Sequence, residues 1–210
     1  MERECMLKKK NKLPEVMVFA GPNGSGKTTL THMAKTVGVY INADDIKKAS
    51  LINDLDAAIK AEELRELMLK QKKDFTFETV LSTERNLKLL KKAKDNGYFI
   101  RCVYVLTSDY RINIARVDMR EHMGGHSVPK EKIKSRFKRA LNLIPELVEI
   151  CDIVHIYEIQ KFLLEFLRKE KIFTTIGKMN IGVFQILRKL LGLKLTIIEY
   201  LNPFIILRII

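Results

Sequence analysis

The sequence predicts an α/β fold, a parallel sheet of about five strands with helices on both faces and a helical, arginine-rich lid. Three observations predict it. Short apolar runs, rich in β-branched and aromatic residues, alternate with segments of helical periodicity. The first apolar run ends in a glycine-rich loop that leads straight into a helical segment. Two further helical segments carry arginines on either side of a Gly-Gly turn.

Each element has a local reason. Residues 15–20 (EVMVFA) are a short apolar run stopped by Gly-Pro, the signature of a buried strand. Residues 27–35 are helical, and 37–42 (VGVYIN) read as a second strand. Residues 54–70 are rich in Ala, Leu, Glu and Lys with apolar residues at helical spacing. Residues 75–78 (FTFE) form a third strand, and 84–94 a helix ended by Asp95-Asn96-Gly97. Residues 98–106 (YFIRCVYVL) are the strongest strand by composition. Residues 110–122 and 129–149 are helices, and 152–157 (DIVHIY) a fifth strand. In such sheets ligands bind at the carboxyl ends of the strands.

A chain of 210 residues, 47% hydrophobic and 30% charged, has room for one domain with a core and is too apolar for wholesale disorder. The first residues lack the apolar stretch of a signal peptide, and the longest uncharged apolar stretches near the C-terminus, 179–187 and 200–207, are too short to span a membrane. Cys5, Cys102 and Cys151 are too few and too scattered for a disulfide framework or a zinc site, so a reducing cytoplasm is the expected setting.

The glycine-rich loop is Gly21-Pro22-Asn23-Gly24-Ser25-Gly26-Lys27-Thr28, followed by Thr29. It fits G-x-x-x-x-G-K-[ST] between a strand and a helix, the P-loop of nucleoside triphosphate-binding proteins. Glycines let the backbone turn its N–H groups inward around phosphate, and the helix start adds its positive dipole end. Lys27 would reach the β- and γ-phosphates of ATP, and the Thr28 hydroxyl would ligate Mg²⁺. The sequence contains neither an N-K-x-D base-recognition motif nor an LSGGQ signature. Glu78 is the nearest equivalent of a Walker-B acid. One domain with short loops makes a kinase the leading class.

A kinase needs a carboxylate near the acceptor hydroxyl, to orient it and take its proton. Asp44 and Asp45 follow the second strand, where such a group belongs, although either could instead cap a helix over 46–49. Glu78 holds a similar place after the third strand. The formal net charge is +13, and residues 111–139 hold nine Lys and Arg against three acids. Within that segment Arg116, Arg120, Arg136 and Arg139 flank the Gly124-Gly125-His126-Ser127-Val128-Pro129 turn, so two helices with arginines would close over phosphates. His126 would touch phosphate from the turn. The positive charge also suits nucleic acid, but the basic residues are scattered and no aromatic RNA-binding motif accompanies them. A nucleic-acid-directed kinase or binder and a non-catalytic nucleotide-binding regulatory module are therefore the alternatives.

Taken together, GPNGSGKTT, INADDI, FTFETVLS, ARVDMREHMGGHSVPKEKIKSRFKRAL and CDIVHIY resemble the zeta-toxin-type P-loop kinases, in particular their compact bacterial branch. The resemblance spans residues 14–157. It implies an ATP- and Mg²⁺-dependent kinase, a small-molecule hydroxyl as acceptor, such as that of UDP-N-acetylglucosamine, and an antitoxin protein as partner. It implies Asp44 as the base, Glu78 as a substrate contact, and Arg116 with Arg136 as the arginines on the transferring phosphate, Arg120 being the rival to Arg136.

After Tyr157 the chain changes character. Residues 158–210 are dense in Ile and Leu without a clean amphipathic period, and the whole chain lacks Trp. Back-translated with suitable synonymous codons, residues 157–182 accept one extra U inside codon 158. The shifted frame then reads YDNTKVPFRIFKKRKDFYYYWENEYW, which opens with the Asp-Asn that relatives place after this strand and restores Trp. The expectation is a kinase-like domain over 1–157 and a frameshifted tail over 158–210 that contributes no site residue; the alternative is a divergent apolar helix pair.

Overall fold

The computed structural model describes residues 13–158 apart from residue 126, together with the short strand at 205–207. His126 and nearly all of the tail thus lie outside the described residues. Six strands form one sheet: β1 (Glu15–Ala20), β2 (Val39–Ile41), β3 (Phe75–Thr79), β4 (Phe99–Leu106), β5 (Ile153–Glu158) and β6 (Ile205–Leu207). Their order is β2-β3-β1-β4-β5-β6. The first five are parallel, and β6, drawn from the tail, runs antiparallel along β5. The helices are α1 (Lys27–Met33), α2 (Ala43–Ser50), α3 (Asp54–Lys70), α4 (Arg85–Asp95), α5 (Tyr110–His122), α6 (Lys130–Asn142) and α7 (Ile144–Ile150).

β1 sits between β3 and β4 and is buried at all six positions. Val16, Val18 and Ala20 face the main core, where Phe75, Phe77, Ile100 and Tyr104 of the sheet meet Leu69 of α3, Leu87 and Leu90 of α4, and Leu147 of α7. Met17 and Phe19 point the other way, onto Leu30 of α1 with Val103 and Val105. Helices therefore cover both faces, which is why β1 reads as a continuous apolar run. Each fully buried large side chain contributes about 1.5–3 kcal/mol through burial alone. α5, α6 and the turn between them share a small core, Val117, Val128 and Ile133, which holds the lid together.

Three expectations are corrected. The helix expected over 129–149 is two helices: Pro145 lies in the first turn of α7, where its missing N–H is harmless, whereas in one continuous helix it would have broken a bond. The second strand is shorter than 37–42 because Val37 leaves the ladder, its N–H and C=O being paired with the Thr76 hydroxyl at 3.0 and 2.7 Å. A helix begins at Ala43, and its cap is Asn42, whose side chain accepts from the Asp44 amide, rather than Asp44 or Asp45. Both acids instead occupy its first turn. α3 and α5 keep the expected bounds, each started by a capping side chain, Asn53 and Asp109.

Candidate functional site

The P-loop links β1, the central strand, to α1, so it stands at the carboxyl end of the sheet midway between β3 and β4. Two of its glycines are required by geometry. Gly21 has φ +142°, and a Cβ there would lie 2.2 Å from the Val105 carbonyl oxygen. Gly24 has φ +73°, and a Cβ would lie 2.5 Å from the Asn113 carbonyl oxygen. Any side chain would both strain the backbone and push the loop off its supports. Ser25 is fully buried and its hydroxyl oxygen has no hydrogen-bond partner among the described residues. An orphaned polar atom inside a glycine cradle fits a phosphate ligand.

Lys27 opens α1 and folds back over the loop. Its ammonium donates to the carbonyl oxygens of Gly21 at 2.7 Å and Pro22 at 2.9 Å. Burial pulls its pKa down to about 8 from 10.5; Glu78 and Asp44 act against that fall, and Arg120 adds to it. Lys27 is thus where Glu78, Asp44 and Arg120 converge, each within electrostatic reach of its ammonium. The structure brings these four expected site residues together.

Glu78 stands near the end of β3, beside the P-loop strand. One carboxylate oxygen accepts from the Thr28 hydroxyl at 3.0 Å, and the other accepts from the Tyr40 hydroxyl at 2.7 Å. That is the place of a Walker-B acid, next to the hydroxyl that would hold Mg²⁺. Among the described residues no cluster of three or more His, Cys, Asp or Glu could hold a metal unaided. One hydroxyl with a neighbouring carboxylate suits Mg²⁺, which keeps several waters and takes oxygens from its phosphate ligand. Thr29 lies exposed on α1, away from these bonds.

The lid docks on the loop through two arginines. Arg116 of α5 donates to the Ser25 carbonyl oxygen at 3.2 Å and reaches that of Gly24 at 3.5 Å. Burial lowers its pKa, and a guanidinium keeps its charge in proteins. Arg136 of α6 donates to the Asn23 side-chain oxygen at 3.3 Å. Arg120, one turn beyond Arg116, is exposed but within electrostatic reach of Lys27, whereas Arg139 is exposed on α6. On the acceptor side Asp44 and Asp45 part company: Asp44 influences Lys27, and Asp45 influences Tyr40.

Three contributors were not foreseen in the sequence. Asn113 of α5 is fully buried, accepts from the Thr107 hydroxyl and donates to the Asn23 carbonyl oxygen at 2.7 Å. It fastens α5 to the loop. Its only signal in the sequence is an amide four residues before Val117, on the apolar side of the helix. Tyr40 and Asn42 form the second support, described below.

The family model described as zeta toxin matches residues 2–171. The chain belongs to the zeta toxin family. Among relatives of this family member, a Haemophilus influenzae (strain Rd) protein described only as uncharacterized is 33% identical over 131 residues, 59% of this chain and 92% of that one. A structure from the PezAT chromosomal toxin-antitoxin system of Streptococcus pneumoniae superposes with TM-score 0.56 at 14% identity, covering 91% of this chain and 85% of that one. That likeness is one of fold. The family member has the α/β P-loop NTPase fold expected from its sequence, and family and fold together make it a kinase-like nucleotide-binding protein. Among the described residues no helix is long and apolar enough to cross a membrane.

Proposed function

We propose that this zeta toxin family member is an ATP-dependent phosphotransferase that moves the γ-phosphoryl group of ATP to a hydroxyl of a small molecule. The observation that supports it is the docking of Arg116 and Arg136 from the lid on the same loop whose Lys27 and Thr28 face Glu78. A passive nucleotide-binding module has no need of two lid arginines at the phosphates. In the proposed step the acceptor oxygen bonds to the γ-phosphorus, the bond from that phosphorus to the β,γ-bridging oxygen breaks, and ADP leaves. The acceptor's proton passes to the Asp44 carboxylate. Lys27, Arg116 and Arg136 oppose the charge spread over the transferring group, with Arg120 available from the lid. When bound between Thr28 and the phosphates, Mg²⁺ would neutralise charge on the β- and γ-oxygens. His126 would add a phosphate contact, and Glu78 a substrate contact as well as its bond to Thr28.

The acceptor belongs to this proposal too. By analogy with the family we take the acceptor to be a nucleoside-diphosphate sugar such as UDP-N-acetylglucosamine and the partner an antitoxin; that the structural neighbour comes from a toxin-antitoxin system, PezAT, supports the second. The test is to incubate the protein with γ-labelled ATP, Mg²⁺ and a metabolite extract, then identify the labelled product, with UDP-N-acetylglucosamine as a defined acceptor. Label on a sugar hydroxyl is expected. Tight nucleotide binding with no labelled acceptor would favour the regulatory module.

The domain organisation read from the sequence is likewise proposed: a kinase-like domain over 1–157 and a frameshifted tail over 158–210. The absence of Trp and the Asp-Asn opening of the shifted frame support it. The family match running to residue 171 and the pairing of β6 with β5 weigh on the other side. Resequencing around codon 158 decides: one additional nucleotide is expected, and an uninterrupted frame with tail peptides in the native protein overturns it.

A further inference from the structure

A continuous chain of hydrogen bonds joins the two halves of the site. It starts at the Thr28 hydroxyl, which donates to one oxygen of Glu78 at 3.0 Å. The other oxygen of Glu78 accepts from the Tyr40 hydroxyl at 2.7 Å. The Tyr40 oxygen in turn accepts from the Asn42 side-chain amide at 2.9 Å, and the Asn42 side-chain oxygen accepts from the Asp44 backbone N–H at 2.9 Å. Every link has a single consistent direction, since Thr28 and Tyr40 each spend their one proton on the carboxylate and the Asn42 amide divides its donor and acceptor between Tyr40 and α2.

We propose that Tyr40 is a positioning residue: its hydroxyl aims the Glu78 carboxylate at the Thr28 edge and, through Asn42, fixes the start of the helix that carries Asp44. This rests on the phosphotransferase reading only for the role of Asp44. Two features favour positioning over mere packing. Tyr40 is half-buried, and three strand residues make up all of β2, so little else in that strand can hold Glu78 or the start of α2. α2 has no fully buried residue; Ala43 and Ile46 of its first turn pack partly buried against the main core, and the Asn42 cap sets how that turn is presented. A phenol is also suited to the task, because it both donates and accepts at one atom while its ring stays in the strand. Phenylalanine would keep the ring and break the chain at its centre.

The test is Tyr40→Phe, read by equilibrium binding of a fluorescent, non-hydrolysable ATP analogue with and without Mg²⁺, alongside thermal unfolding. The variant is expected to keep metal-free nucleotide affinity and to lose roughly tenfold of the gain in affinity that Mg²⁺ confers, the size of one hydrogen bond to a charged group. Asn42→Ala leaves Glu78 its bond to the phenol. It should therefore retain most of the Mg²⁺-dependent gain while lowering kcat with little change in the KM for ATP. Tyr40→Phe with a wild-type Mg²⁺-dependent gain overturns the inference. A wild-type protein whose nucleotide affinity ignores Mg²⁺ would instead count against the phosphotransferase itself. If Tyr40→Phe fails to fold, Glu78→Gln replaces it: the amide keeps an acceptor for Tyr40 but loses the carboxylate, and an unchanged Mg²⁺-dependent gain there overturns the inference equally.

Discussion

The two halves of the site are built differently. On the donor side, Lys27, Arg116 and Asn113 all end on backbone carbonyls of the P-loop, and Ser25 is sealed within it. On the acceptor side, Asp44 and Asp45 ride exposed on a helix without a fully buried residue, steadied by the Asn42 cap, the partial burial of Ala43 and Ile46 and the Lys47–Asp54 ion pair at 2.6 Å. In the proposed reaction the donor half meets the same triphosphate in every turnover, so it can be assembled in advance. The half around Asp44 is open, and in the proposed reaction the acceptor itself would supply part of its order. Preorganisation lowers the cost of holding charge in the transition state, and here it is concentrated where the charge is greatest.

The largest test of this contrast is at the lid. Arg116→Ala or Arg136→Ala should lower turnover by about 10³–10⁵-fold, the range for arginines on a transferring phosphoryl group, with a much smaller change in ATP affinity by calorimetry. Equal and small losses in both would reduce the two arginines to surface charge. Next, Asp44→Asn should lower transfer by about 10²–10⁴-fold and change nucleotide affinity only slightly, through its minor electrostatic hold on Lys27. Turnover near wild type would move the base elsewhere, with Asp45 the first place to look.

Asn113→Ala tests whether the donor half is truly fastened. The Asn113 side chain is buried between Thr107 and the loop, so its loss should cost about 1–3 kcal/mol in chemical denaturation and weaken ATP binding at the same time. A loss of stability with unchanged ATP binding would show that the loop holds itself. The smallest effect concerns pH. Lys27 loses its proton near pH 8 in the free protein, and a bound phosphate restores the charge. Nucleotide affinity without Mg²⁺ should therefore fall by about tenfold between pH 7 and pH 9, and Lys27→Arg should flatten the profile. The same shift has a sign for folding: the cost of burying the charged ammonium is fully present below about pH 8 and is relieved as pH rises toward 10.5, so this group makes the protein more stable with rising pH across that window.

The donor half was also the more legible in the sequence. G-x-x-x-x-G-K-[ST] after a strand fixes backbone geometry within eight residues, and local geometry is what a sequence displays most directly. α3 and α5 were legible to the residue because Asn53 and Asp109 begin them with a cap and the apolar spacing carries them through. The split between α6 and α7 was not, since the apolar pattern continues through Leu143 and Ile144 and Pro145 is compatible with helix wherever a first turn falls. Asn113 and Tyr40 were missed for another reason. Their partners, Asn23 and Glu78, lie 90 and 38 residues away, and only the strand order brings them within reach. Pairings made by topology leave no local trace.

β1 has a further consequence for how the molecule exchanges its amide hydrogens. With all six of its residues buried and a strand bonded on either side, its amides can meet solvent only when the whole sheet opens. The amides of α2 need only a local fraying. Native-state exchange should therefore find the phosphate loop hung from the slowest strand in the protein and the proposed base on one of its quickest helices. Two groups that must meet within a single turnover would then be drawn from opposite ends of its range of local stability.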